Sequence, residues 1–133
     1  MDKTSLLDAH TIAIVGVSDD ENRPSFAVAS YLIHHGYIII PVNPNLASLF
    51  GEKCYPSITA IPNHIHLDIV DIFRKPEYIP DIVEEVLKRT EKPIIWMQEG
   101  IISEEAKKLA ESHELPVTMD VCIMKEHKKL IAS

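Results

Sequence analysis

Cysteine is scarce in this sequence: Cys54 and Cys122 are the only two, and no Cys-x-x-Cys or Cys/His spacing surrounds them. That excludes a disulfide framework or a structural zinc site and fits a reducing compartment. Long apolar runs are missing as well, since each stretch is a handful of residues, too short for a membrane span. Met1–His10 is polar and mixed in charge, without the apolar core of a secretory signal, so a cytoplasmic protein that does not engage membranes is expected. Basic residues are outnumbered, 13 Lys and Arg against 20 Asp and Glu, for a formal net charge of −7. Nucleic-acid wrapping and polybasic membrane binding need the opposite balance. A small phosphorylated ligand needs only two or three local cations and some backbone N–H groups, and it survives this test.

What is present is the composition of a folded domain, 46% hydrophobic and 25% charged over 133 residues. One domain spanning 1–133 is expected. Short β-branched runs alternate with helical periodicity five times. Thr11–Val17 reads as a buried parallel strand, then Pro24 opens a helix whose inner face is Val28, Ala29, Leu32 and Ile33, stopped by Gly36. Tyr37–Val42, Leu67–Phe73, Pro93–Gln98 and Leu115–Met119 read as further strands. Helices are expected from about Glu77 to Arg89, after the N-cap Ser103, and from Met124 to Ile131. Between Asn45 and His66 the pattern weakens, and a short helix followed by a loop is expected. This alternation specifies an α/β fold: a Rossmann-like, doubly wound, mostly parallel five-stranded sheet with helices on both faces.

Ligands of such sheets bind beyond the carboxyl ends of the strands, where strand order reverses. The first such loop has Gly16, but Ser18 and Glu21 stand where a dinucleotide fingerprint has its second and third glycines. The second strand ends in Val42-Asn43-Pro44, with no acid to grip the ribose diol of NAD. NAD is therefore disfavoured. Three cations, Arg23, Arg74 and Lys75, follow strands one and three, where they would share one rim and suit phosphate. Taken singly, each is equally a solvated surface charge. Ser25 is either a helix cap or a phosphate ligand.

Other candidates carry less. His64 and His66 share one side of an extended segment without a third ligand, so no metal site is expected. Asp68, Asp71 and Asp120 form neither a catalytic dyad nor a phosphoacceptor pocket, and no nucleophile–base–acid set can be assembled. Cys122, just past the fifth strand, is either a thiol facing the site or a small buried hydrophobe.

The ordered series Ile-Val-Gly16-Val-Ser18, Arg23-Pro-Ser25, Gly36-Tyr37, Pro41-Val-Asn-Pro44, Gly51-Glu52, Tyr55-Pro-Ser57, Asp68-Ile-Val-Asp-Ile-Phe-Arg74-Lys-Pro76 and Trp96-Met-Gln98-x-Gly100-Ile101 resembles the CoA-binding protein family. Its members are small relatives of the CoA-binding domain in succinyl-CoA synthetase α subunits and ADP-forming acyl-CoA synthetases. The resemblance extends from about Thr11 to His127 and implies coenzyme A bound across the strand ends. By position it implies Gly16, Val17 and Ser18 lining the first turn, with Arg23 and Ser25 toward the phosphates. It implies Val42, Asn43 and Pro44 on the adenine side, and Phe73, Arg74 and Lys75 over the nucleotide. Gln98, Glu99, Gly100 and Ile101 would follow the pantetheine arm, where Glu99 stands in a position that is apolar in many relatives.

The ligases add a second domain with a phosphorylated histidine and a nucleotide-grasp partner, for which 133 residues leave no room. The expectation is a binding module without autonomous catalysis. The alternatives are an NAD(H)-binding oxidoreductase or redox sensor, and a regulatory partner of a separately encoded ligase. Self-association is compatible with each.

Overall fold

The computed structural model describes residues 4–132. Helix α1 (Thr4–Asp8) leads into β1 (Thr11–Val15), α2 (Pro24–His34) and β2 (Ile38–Val42). A small hairpin, β3 (Ser48–Leu49) with β4 (Glu52–Lys53), and a 3-10 turn at Ile58–Ala60 precede β5 (Ile69–Ile72). After a 3-10 turn at Pro76–Tyr78 come α3 (Ile79–Leu87), β6 (Ile94–Met97), α4 (Glu104–Ser112), β7 (Val117–Met119) and α5 (Ile123–Ala132). No helix among these is long and apolar enough to cross a membrane.

Five strands make one parallel sheet in the order β2-β1-β5-β6-β7, the expected Rossmann-like arrangement. The chain steps outward from β1 to β2, returns past β1, and then continues the other way from β5. The reversal therefore lies between β1 and β5, where a crevice opens at the strand ends. Alternation along the strands divides the core in two. Ala13, Val15, Val70, Ile72, Ile95 and Met97 pack with α3 and α4, whereas Ile12, Ile14, Ile69 and Trp96 pack with α2 and α5. Burial on both faces explains why these strands read as continuous apolar runs.

Helix ends follow local chemistry. Pro24 starts α2, where its missing N–H breaks no intrahelical bond. At the other end Gly36 (φ +91°) lets its own N–H reach Ile33 O at 3.1 Å and the Tyr37 N–H reach Leu32 O at 3.1 Å. Ser103 caps α4 by accepting from the Ala106 N–H at 3.1 Å.

Two segments depart from the reading above. The polar N-terminus contains α1, whose Leu6 is fully buried and whose Leu6 carbonyl accepts from Tyr37 Oη at 2.7 Å. The short helix expected after Asn45 is instead the β3–β4 hairpin and the 3-10 turn. Asn43 Oδ1 accepts from the Asn45 N–H at 2.8 Å, and Phe50 and Gly51 turn the chain at positive φ, so helical dihedrals are interrupted from the start.

This connection stands in for a helix and is fastened by side chains from the α3 region. Glu85 accepts from the Thr59 N–H at 3.0 Å. Arg89, just past α3, is buried and donates to the carbonyls of Ile61 (3.1 Å), Pro62 (3.4 Å) and Ile65, and to Glu91 Oε2 at 3.0 Å. Glu91 in turn accepts the Leu67 N–H at 3.0 Å. Removing the guanidinium strips the largely buried Glu91 carboxylate of its counter-charge and takes the donor from the Ile61 and Ile65 carbonyls. Arg89→Ala is expected to lower unfolding free energy by about 3 kcal/mol or more, read from denaturant melts.

On the opposite layer, buried His127 of α5 hydrogen-bonds Tyr31 Oη through Nδ1 at 2.8 Å, with the His35 and Tyr37 rings against it and Lys128 over the Tyr31 ring. Burial first, then the neighbouring His35, hold its imidazole below the ordinary value. The unfolded chain therefore takes the proton first as pH drops. The contribution of this group is full above pH about 6.5 and shrinks as pH falls through the lower folded-state value. Denaturant midpoints measured against pH should show this loss, and His127→Gln should flatten it.

Candidate functional site

The crevice is shaped by one close approach. Gly16 leaves β1 at φ +85°, its N–H donating to Val42 O at 2.9 Å. A Cβ there would stand 2.6 Å from Phe73 O and 2.9 Å from Arg74 Cδ. Glycine is required both for the dihedral and for the space. The following loop is self-supporting: Ser18 N–H donates to Ser25 Oγ (2.9 Å), Asp20 N–H to Ser18 Oγ (3.0 Å), and Arg23 N–H to Asp20 O (2.9 Å). Ser25 thus fastens the loop to the first turn of α2. Arg23 occupies the N-cap position in extended backbone with no side-chain cap, leaving the positive end of α2 open toward the crevice.

Three cavities lie along the strand ends and share walls. The smallest, about 70 Å³, is bounded by Gly16, Val42, Pro44, Ser57, Ile58 and Arg74 among others. The middle one, about 350 Å³, is lined by Gly16, Ser18, Arg23, Pro24, Ser25 and Phe73. The third, about 410 Å³, is bounded by Val28, Phe73, Gln98, Ile101, Cys122 and Met124, with Pro24, Ala27, Glu99 and Lys125 completing it. Gly16 belongs to the first two, and Pro24 and Phe73 to the last two. Ordered by these shared walls, the cavities follow one another from a nook beside Arg74, past the α2 N-terminus, to a mainly apolar recess.

Most of the anticipated residues line these cavities; Val17, Asn43, Lys75 and Gly100 do not. Val17 is fully buried, and its carbonyl accepts Asn43 Nδ2 at 2.8 Å. Asn43 is thereby a strut between two loops. Gly100 lines none of the three cavities, and its N–H donates to Asp120 Oδ1 at 2.7 Å. Gln98 is buried, and its Oε1 accepts the Ile123 N–H at 3.0 Å, fixing the start of α5. The cations divide: Arg23 reaches the middle cavity, Arg74 the smallest, stacked 4.4 Å from the Tyr78 ring, and exposed Lys75 neither. Glu99 pairs with Lys125 at 2.8 Å, an interaction that raises the Lys125 ammonium above its ordinary value and neutralises the acid at the recess mouth.

Several wall residues were missed from sequence. Pro56, Ser57 and Ile58 come from the irregular crossover, which has no periodicity to betray its inner side. Met124 and Lys125 stand in the first turn of α5, a helix that reads as a terminal tail.

Residues 10–128 match the family model described as CoA binding domain. The chain belongs to that family. Among similar proteins, YneT of Bacillus subtilis (strain 168) is 38% identical over 125 residues, 94% of this chain and 90% of its own length. Acetate–CoA ligase (ADP-forming) II of Archaeoglobus fulgidus is 31% identical over 83% of this chain, a stretch that makes up only 16% of the ligase. A solved structure from Thermus thermophilus, cell-free ID.343, superposes with a TM-score of 0.90 at 36% identity, covering 98% of this chain and 99% of that one. The likeness spans this CoA-binding domain from end to end.

Gly16→Ala tests the close approach directly. Strain at positive φ and the clash with Phe73 O are expected to cost about 2 kcal/mol or more of stability, seen as a lowered melting temperature.

Proposed function

We propose that this CoA-binding domain holds coenzyme A, free or acylated, along the row of cavities at its strand ends. The observation that carries the reading is the order of environments along that row. Coenzyme A is an adenosine 3′-phosphate, a pyrophosphate and a pantetheine arm in sequence, so it needs a nook, an anion site and an apolar recess in that order. Beside Arg74, the small nook suits the adenosine end. Arg23, Ser18 and the open N-terminus of α2 suit the pyrophosphate. Val28, Phe73, Ile101 and Met124 offer apolar walls to the arm, with buried Gln98 and the Glu99–Lys125 pair at its edge.

The NAD(H) alternative has less support. An NAD site of the usual kind needs an acid at the end of the second strand. Asn43 stands there, and both ends of its amide are already engaged, Nδ2 on Val17 O and Oδ1 on the Asn45 N–H. The partial match to an ADP-forming ligase is compatible with a binding module that works beside a ligase subunit, and co-purification of such a subunit would favour that role.

Calorimetric titration of the reduced protein with CoA, dephospho-CoA and NADH tests the reading. Saturable heat with CoA is expected, and its absence at about millimolar ligand, far above ordinary cofactor concentrations, would overturn it. Arg23→Ala and Arg74→Ala identify which guanidinium meets the 3′-phosphate: that variant should weaken CoA about tenfold more than dephospho-CoA. Equal losses for both ligands would reject the assignment for the residue concerned.

A further inference from the structure

We propose that Glu85 is a specificity-determining residue of the nook, its carboxylate accepting a hydrogen bond from the 6-amino group of an adenine base. The proposal rests on the CoA reading, which brings the adenosine end of the ligand to this cavity. Glu85 and Ile82 stand one turn apart on α3 and both line the nook, so one face of that helix forms part of its wall. The carboxylate is held from the crossover: Oε1 accepts from the Thr59 N–H at 3.0 Å and from Thr59 Oγ1 at 3.3 Å. Thr59 Oγ1 is itself 3.0 Å from Oγ of Ser57, another wall residue. Oε2 has no hydrogen-bond partner among the described residues. Nor is it sealed in, because among those residues only the carboxyl oxygens of Asp71 are both fully buried and without a partner. A half-buried carboxylate, fixed through one oxygen and open at the other, is a place for a donor.

The rest of the lining indicates which donor. Val15, Val42, Ile58 and Ile82, with Pro44 and Pro56, give the nook apolar sides suited to the faces of a flat ring. Its volume of about 70 Å³ holds the edge of a base, not a whole nucleoside. Two charged side chains stand in this lining and are held separately: Arg74 stacks on the Tyr78 ring, and Glu85 is bound by Thr59. In an adenosine 3′-phosphate the ribose carries the negative charge and the base carries the amine. Attraction brings the phosphate to Arg74, and repulsion keeps it from Glu85. What remains for Glu85 is the base, and adenine joined to ribose has one N–H donor group, the 6-amino group. A carboxylate oxygen accepts from that amine but repels a carbonyl oxygen, so this position separates adenine from hypoxanthine, which has oxygen at C6.

Calorimetric titration with CoA and with its hypoxanthine analogue, in which oxygen replaces the 6-amino group, is the test. The unmodified protein is expected to bind CoA about tenfold or more tightly than the analogue. In Glu85→Gln the amide oxygen still accepts from Thr59, and the amide N–H2 is then turned toward the base. Affinity for CoA should fall, and the preference over the analogue should vanish or reverse. Thr59→Ala removes one bond to Oε1 but leaves the Thr59 N–H and the carboxylate in place, and it should keep the preference. A Glu85 that only fastened the crossover would alter both affinities in proportion, so the ratio distinguishes the two roles. If Glu85→Gln does not fold, Glu85→Asp takes its place, since it draws the carboxylate back by one methylene and should also lose the preference. Equal binding of CoA and the analogue by the unmodified protein, or an unchanged preference in the folded variant, would overturn the proposal and leave the CoA reading standing. Absence of CoA binding by the unmodified protein would overturn both.

Discussion

The absence of a side chain at residue 16 is the constraint from which the rest of the crevice follows. With φ +85° and no Cβ, the exit of β1 comes within contact distance of the Phe73 carbonyl at the exit of β5. That contact sits where the sheet's strand order reverses. It brings the loop of Ser18, the start of α2 and the side chains of Phe73 and Arg74 around one path. A larger residue would meet the Phe73 carbonyl and force the two strand ends apart, whatever the quality of the remaining walls.

Around this contact the protein spends its polar groups on scaffolding as much as on recognition. Asn43 links the second strand's exit to the first loop, Ser25 ties that loop to α2, Gln98 fixes the start of α5, and Asp120 holds the turn at Gly100. Each is a side chain satisfying a backbone group that irregular chain would otherwise leave unpaired. The overall charge of −7 is therefore a poor guide to the site. Arg23 and Arg74 supply local positive charge on the path, and the one acid at the recess mouth, Glu99, is paired with Lys125.

Sequence made the sheet, its helices and its glycine turn legible because buried parallel strands and amphipathic helices impose distinct periods. Val28 on α2 and Phe73 one residue past β5 wall the recess, and both are readable from the periodicity of those elements. Legibility failed where side chains rather than backbone ladders hold the chain. The hairpin and 3-10 turn between Asn45 and His66 depend on Asx turning at Asn43 and on Arg89, some 25 residues away in sequence, and no local pattern announces such a partner. Lys75 shows the opposite limit. Its neighbour Arg74 folds over Tyr78 into a cavity wall while Lys75 points to solvent, a difference that sequence adjacency conceals. Similarly, Asp71 reads as one acid of the expected Leu67–Phe73 strand, and its complete burial there appears only in the structure.

The tethering of the crossover has a dynamic corollary. Helices fray from their ends one hydrogen bond at a time, but the segment around Ile58 hangs from Glu85, Arg89 and the Arg89-bound Glu91. Withdrawal of the Arg89 guanidinium releases the Ile61, Pro62 and Ile65 carbonyls together. Such a segment opens as a unit, with its own local free energy, while the parallel sheet beneath stays paired. Since Ser57 and Ile58 form one side of the nook beside Arg74, that end of the path has a hinged door whose latch lies on the same face of the sheet, at the C-terminal end of α3.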